Sequence, residues 1–211
     1  MKKKNNSINS VLLASGGLDS TTLAYWLRNQ EIAFVPLFID YGQHCAITEY
    51  ERLKSVLPTD LTQGIQRINI SDIYKNTKSR LIDEPNLWKD NVEAKDLYLP
   101  YRNLLLLAAG AAFAQSRGYS NLYAAFINSN HAKEIDCSAK FFKQLEGIFT
   151  EYGTAKIEMP FRDMSKLEVA KIGLSLNIPI GITFSCQAAS KVPCGACPNC
   201  VDRLNALNAL E

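Results

Sequence analysis

Five short apolar runs alternate with stretches of helical period. Val11–Ala14, Ala33–Asp40, Ile65–Ile70, Asn121–Phe126 and Ile157–Met159 read as strands, each bounded by glycine, serine, asparagine or charged residues. Between them, Thr21–Leu27, Ile47–Val56, Leu104–Arg117, Cys137–Gly153 and a segment from Ser165 to Leu176 have helical composition. In the fourth of these, Ala139, Phe142, Leu145 and Phe149 form the inward stripe, and in the fifth Ser165 with Glu168 makes a capping box. Leu104–Arg117 is apolar nearly all round, which predicts a helix buried between layers, with Gly118 placed to end it. Strict alternation of strand and helix predicts an α/β fold: a Rossmann-like parallel sheet of about five strands with helices on both faces. Residues 71–100 break the rhythm. They carry Pro85, Trp88, Pro100 and many charges without a sustained period, and read as a lid or as a poorly marked helix.

Composition adds limits. The chain has 211 residues, 47% hydrophobic and 21% charged, which fits one principal globular domain and excludes a disordered or collagen-like chain. With 23 basic and 21 acidic residues the net charge is +2, so no strong field steers the protein to membrane or nucleic acid. Lys2–Lys4 is the one basic run and reads as a solvated tail. The apolar run Leu104–Ala114 is eleven residues, short of the ~20 a membrane-crossing helix needs. Val11–Ala14 is too short for the apolar core of a signal peptide, which predicts a cytoplasmic protein.

Candidate chemistry is concentrated in two places. Ser15-Gly16-Gly17-Leu18-Asp19-Ser20 lies between the first strand and its helix, where backbone N–H groups and the positive helix end hold an anion. The paired glycines allow close backbone approach, and the hydroxyls of Ser15, Ser20, Thr21 and Thr22 are further donors. The pattern contains neither Gly-Lys-Ser/Thr nor G-x-G-x-x-G. Near the other end, Cys186, Cys194, Cys197 and Cys200 are spaced C-x7-C-x2-C-x2-C. Four thiolates complete a closed tetrahedral Zn²⁺ site of the structural type, and an iron–sulfur cluster also accepts such a set. A metal there would pin the short helix expected over Val201–Leu210. This division places residues 1–180 in an anion-binding α/β domain and 181–211 in a zinc-binding segment.

The SGGLDS segment resembles the pyrophosphate loop of the PP-loop ATP pyrophosphatases, also called adenine nucleotide alpha hydrolase-like, which adenylate a substrate oxygen and let a nucleophile displace AMP. Loop and cysteines together resemble the QueC-type 7-cyano-7-deazaguanine synthases over nearly the whole chain. Asp40-Tyr41-Gly42-Gln43, Pro100-Tyr101-Arg102-Asn103, Asp136-Cys137 and Lys166-Leu167-Glu168 agree with that family's motifs in order. The resemblance implies conversion of 7-carboxy-7-deazaguanine to the nitrile with ATP, Mg²⁺ and ammonia, through an adenylated acid and an amide. It implies an ATP site formed by Ala14, Ser15, Gly16, Gly17, Leu18, Asp19, Ser20, Thr21, Thr22, Asp40, Tyr41 and Gln43, with Asp19 close to Mg²⁺. Asp19, Arg102 and Lys166 are the expected catalytic residues, and Arg102, Asn103, Asn128 and Asp136 the expected substrate contacts. Arg102 suits a bidentate grip on carboxylate or phosphate, and Lys166 suits a point charge against phosphates. A homodimer is expected from the resemblance alone.

The chain departs from the family at three points. Gln187 follows Cys186 where the family has tyrosine, Asn128–Ile135 replaces an aromatic and glycine-rich stretch, and His44 stands one position early. These changes touch the expected substrate rim and leave the ATP and zinc parts. They keep open a paralogue, as in bacterial antiphage defence, that attaches a deazaguanine to a protein or nucleic acid acceptor. A nucleotide-binding module without turnover and a tRNA-modifying PP-loop enzyme are further alternatives, the last lacking the basic surface RNA requires. His131 is a candidate base, Cys137 and Cys45 are candidate nucleophiles, and Trp88 and Tyr98 either close over a base or pack.

Overall fold

The computed structural model describes residues 7–127 and 137–210. Strands β1 (Ser10–Leu13), β2 (Val35–Asp40), β3 (Gln66–Asn69), β4 (Asn121–Tyr123) and β5 (Lys156–Glu158) form one sheet in the order β3-β2-β1-β4-β5. All four pairings are parallel, with Val11 opposite Val35 and Leu122 in register. Each expected strand is present; β2, β3 and β4 are shorter at their ends by one to three residues, and β1 and β5 begin and end one residue earlier. The helices are α1 (Leu18–Asn29), α2 (Ala46–Val56), the single turn α3 (Thr59–Thr62), α4 (Arg102–Ser116), α5 (Ala139–Tyr152), α6 (Lys166–Ser175) and α7 (Pro198–Asn208).

Strand residues point alternately to the two faces. Val11, Leu37, Ile39, Leu122 and Ile157 meet α4 and α5 through Leu107, Ala111, Phe142 and Leu145. Leu12, Ala14 and Phe38 meet α1, α2 and α6 through Leu23, Leu27, Leu53 and Val169. Both faces are covered, and the strands therefore read as continuous apolar runs. The Ser165 hydroxyl accepts the Glu168 N–H while the Glu168 carboxylate accepts the Ser165 N–H, closing the capping box that starts α6.

Two expectations need correction. Helix α4 is not enclosed on all sides: Asn103, Leu107, Gly110, Ala111 and Ala114 are buried, whereas Ala112 is exposed and Leu104, Ala108 and Phe113 are half-buried. Although Ala94–Ser116 has the length and hydropathy of a membrane-crossing segment, its α-helical part is the 15-residue α4 and its buried face is on the sheet. Residues 71–100 form no long helix. They fold as two 3₁₀ turns, Ser71–Ile73 and Ala94–Leu97, around a small core of Tyr41, Tyr74, Leu81, Leu97 and Leu99 that covers Leu105 and Leu106 of α4. Trp88 takes no part in it and is 98% exposed.

Candidate functional site

The chain leaves β1, β2 and β4 at one edge of the sheet, and these exits surround a cavity of about 320 Å³. A crevice at the C-terminal strand ends, where β1 has neighbours reached by connections on opposite faces, is where open α/β sheets bind ligands. Its size lies in the small-molecule range.

The glycine loop forms one end of this cavity. Gly16 has φ +76°, a conformation open to glycine. A Cβ there would also lie 2.6 Å from the Leu53 nitrogen and 2.8 Å from the Glu49 carbonyl, so α2 approaches as closely as it does only because Gly16 has no side chain. The Ser15 hydroxyl lies 3.3 Å from the Ser20 hydroxyl, and α1 begins at Leu18, directly after the two glycines. Asp19 and Lys166, 147 residues apart, meet as an ion pair with the Lys166 ammonium 2.6 and 2.9 Å from the two carboxylate oxygens. Both side chains are on the cavity wall.

The other end is built by the start of α2 and the start of α4. Gln43 is buried. Its Oε1 accepts the Tyr41 N–H at 3.0 Å, and its Nε2 donates to Glu49 at 2.8 Å. Burial raises the Glu49 carboxyl to about 7, against hydrogen bonds from Gln43 and Cys45 and the charge of Arg102, which lower it. Arg102 also hydrogen-bonds the Tyr41 phenol, whose ionisation burial suppresses. Asn103, 1% exposed, donates to the Cys137 sulfur at 2.8 Å. Arg102 and Asn103 are presented here because Tyr101 before them takes φ +57°, a left-handed turn unusual for a bulky side chain.

Of the expected residues, Ala14, Ser15, Gly17, Asp19, Ser20, Tyr41, Gln43, Arg102, Asn103 and Lys166 line this one cavity. Others are placed differently. Asp40 accepts the Gly42 N–H at 3.0 Å and the Arg67 guanidinium at 2.6 Å, so its carboxylate fastens the turn after β2 and is not on the wall. Leu18 is buried in the core against Ala170 and Ile178. Thr22 donates to the Leu18 carbonyl, and Thr21 is buried without a hydroxyl partner among the described residues. Asn128, Asp136 and His131 lie outside the described residues. His44 Nε2 lies 3.1 Å from the Gln187 carbonyl, with Glu84 4.0 Å from Nδ1, and Cys45 is a buried thiol whose ionisation burial and Glu49 both oppose. Glu49, Phe184, Ser185, Asn199 and Asp202 also line the cavity, and the motifs did not single them out.

The C-terminal segment backs the loop. The Phe184 N–H donates to the Gly16 carbonyl at 2.9 Å, and the Leu18 N–H approaches the Ser185 hydroxyl at 3.4 Å. One residue further on, Cys186 joins Cys194, Cys197 and Cys200, whose sulfurs all lie within 4.8 Å of one another. Ligands of one tetrahedral zinc with Zn–S near 2.3 Å sit about 3.8 Å apart. In an iron–sulfur cube each thiolate binds a different iron and the sulfurs stand farther apart. The cluster therefore fits a single ion. Ionising Cys197 is favoured by hydrogen bonds from Cys186 and Cys200, while Cys200 is driven the other way by the same neighbours.

Sheet order, loop and cavity define the class: a PP-loop nucleotide-using α/β enzyme. The fold is similar to that in a crystal structure of a 4-thiouridine synthetase–RNA complex with bound ATP (TM-score 0.50, 15% identity), covering 93% of this chain and 49% of that one. Residues 9–211 match the family model described as queuosine biosynthesis protein QueC, and the chain belongs to that family. It is 30% identical over 210 residues to the 7-cyano-7-deazaguanine synthase of Methanospirillum hungatei, covering 95% of each chain. To the synthase of Porphyromonas gingivalis it is 33% identical over 212 residues, covering 94% of this chain and 92% of the relative. The chain is thus an enzyme of the ATP-dependent ligase type within queuosine biosynthesis.

Proposed function

We propose that this enzyme converts 7-carboxy-7-deazaguanine and ammonia to 7-cyano-7-deazaguanine, using ATP twice. The observation that carries this is a single cavity with an anion-binding glycine loop at one end and Arg102 and Asn103 at the other. A carboxylate is a poor electrophile until one of its oxygens becomes a leaving group, and transfer of AMP to that oxygen makes it one. The loop's backbone donors bind the phosphates, and Lys166 is within reach to offset the charge of the departing pyrophosphate. Arg102 orients the acid toward the α-phosphorus, a positioning effect that removes much of the entropic barrier. Ammonia then displaces AMP to give the amide. A second activation at the amide oxygen, with loss of the nitrogen-bound protons, gives the nitrile.

Asp19 is suited to hold Mg²⁺ once Lys166 turns from it to phosphate. The four cysteines are suited to one Zn²⁺, which would lock Phe184 and Ser185 behind the loop. Cytoplasmic location belongs to the same reading, because reduced thiols are needed for that site. Incubating the metal-loaded protein with Mg-ATP, ammonium and 7-carboxy-7-deazaguanine and following the products by mass spectrometry tests it. Nitrile with two AMP per turnover is expected, and unreacted acid with unconsumed ATP would reject it.

A further inference from the structure

Glu49 stands apart from the machinery described so far. It is on the cavity wall, yet helix α2 places it in an apolar stripe with Cys45 and Leu53, one turn away on either side and both buried. Its carboxylate accepts from Gln43 Nε2 at 2.8 Å and from the Cys45 thiol, and it feels the Arg102 cation and the Asp40 anion. Gln43 is itself oriented by the Tyr41 N–H, so the carboxylate is held by a side chain with no freedom to turn away. The Glu49 backbone carbonyl is the same atom that crowds Gly16, which ties the acid's position to that of the phosphate loop.

Resting on the proposed reaction, we propose that Glu49 is the proton acceptor for the nitrogen steps. Ammonia attacking the acyl adenylate forms a C–N bond and leaves positive charge on nitrogen. Glu49 takes one N–H proton, the tetrahedral adduct collapses, and the C–O bond to AMP breaks. When the amide oxygen attacks the second ATP, pyrophosphate leaves and one amide proton passes to the same carboxylate. In the last step the remaining N–H proton goes to Glu49 as its electron pair forms the third C–N bond and AMP departs. Three protons are released, each to one group that solvent can discharge between steps. The groups facing this carboxylate are Gln43, Cys45, Arg102, Asp40 and the Tyr41 phenol, and burial keeps the Cys45 thiol and the Tyr41 phenol protonated. A carboxyl poised near 7 matches the working pH of a general base.

The test uses Glu49→Gln, which keeps size and the acceptor for Gln43. Pyrophosphate exchange into ATP, dependent on 7-carboxy-7-deazaguanine, reads acid activation alone and serves as the check on folding. The expected result is exchange within about threefold of the parent and amide formation from ammonia reduced by about 100-fold or more. Hydroxylamine, a weaker base that enters unprotonated at neutral pH, should still give hydroxamate at near-parental rate, and the acid limb of the parent's pH profile should vanish. Glu49→Asp should retain part of amide formation. Unchanged amide formation in Glu49→Gln would overturn the proposal. So would equal loss of exchange, hydroxamate and amide in a variant that melts no lower than the parent, because Glu49 would then serve acid activation. Absence of exchange in the parent protein would instead reject the underlying reaction, a separate outcome.

Discussion

The two ends of the cavity solve opposite electrostatic problems. At the phosphate end, charge is left exchangeable: Asp19 and Lys166 neutralise each other through side chains 23% and 16% exposed, and each can exchange its partner for an arriving ion. At the α2–α4 end, charge is suppressed: burial holds the Glu49 carboxyl up and the Tyr41 phenol protonated, and hydrogen bonds fix their orientations. The contrast teaches that a site for a polyphosphate needs mobile counter-charge in partial contact with water, whereas proton transfer needs a group whose pKa the fold has already set.

The largest effect is expected where the two ends share one atom of clearance. Gly16→Val puts a branched side chain into the backbone of α2 at φ +76°, so ATP affinity should fall by at least about 100-fold and stability by more than about 2 kcal/mol. Isothermal titration and thermal unfolding read the two quantities. Retained ATP binding would show that the loop and α2 are not coupled. Next, Cys197→Ser should remove the bound metal, measured as zinc per chain by plasma mass spectrometry. Because Phe184 donates to Gly16, it should also weaken ATP binding by about tenfold, within the range seen when the support of a site is loosened. Lys166→Ala removes only the exchangeable cation, which predicts a loss of about 1.5–3 kcal/mol in kcat/KM for ATP and little change in melting temperature.

A smaller effect separates the ends by pH. The folded state raises Glu49 from 4.5 to about 7, so the protonated carboxyl contributes stability that is present below 4.5 and lost as pH rises through about 7. Glu49→Gln, neutral at every pH, should melt close to the parent at pH 5 and measurably above it at pH 8. Equal melting temperatures at both pH values would mean the carboxyl is not shifted. The smallest effect is expected of Arg67→Ala. Its bridge to Asp40 joins side chains 46% and 10% exposed, worth about 0–1 kcal/mol, and ATP affinity should not change because neither group lines the cavity.

The same division governs what the sequence makes legible. The phosphate end is a contiguous strand-loop-helix motif, and the parallel sheet follows from five apolar runs spaced by helical segments, so both are readable without tertiary information. The four cysteines are equally local. Glu49 escapes that reading because an acid in an amphipathic helix ordinarily faces water; its signal is the i, i+4, i+8 stripe Cys45, Glu49, Leu53, which sets a carboxylate on the buried face of α2. Asp40 misleads for the converse reason. It ends a buried strand beside the cavity, but Arg67 on the adjacent strand β3 claims its carboxylate, a pairing that only sheet order reveals. The apolar circumference of α4 likewise concealed which side meets the sheet and which is covered by residues 71–100.

The most direct test of carboxylate activation is isotopic. 7-Carboxy-7-deazaguanine carrying ¹⁸O in its carboxyl group is turned over with Mg-ATP and ammonium, and the phosphorus products are resolved by mass. Transfer of one ¹⁸O to AMP in forming the amide is the predicted result, since the acid oxygen leaves bonded to the α-phosphorus. Label in inorganic phosphate would mean attack at the γ-phosphorus, and label retained wholly in the deazaguanine would mean no activation at that oxygen; either would contradict the chemistry assigned to this cavity.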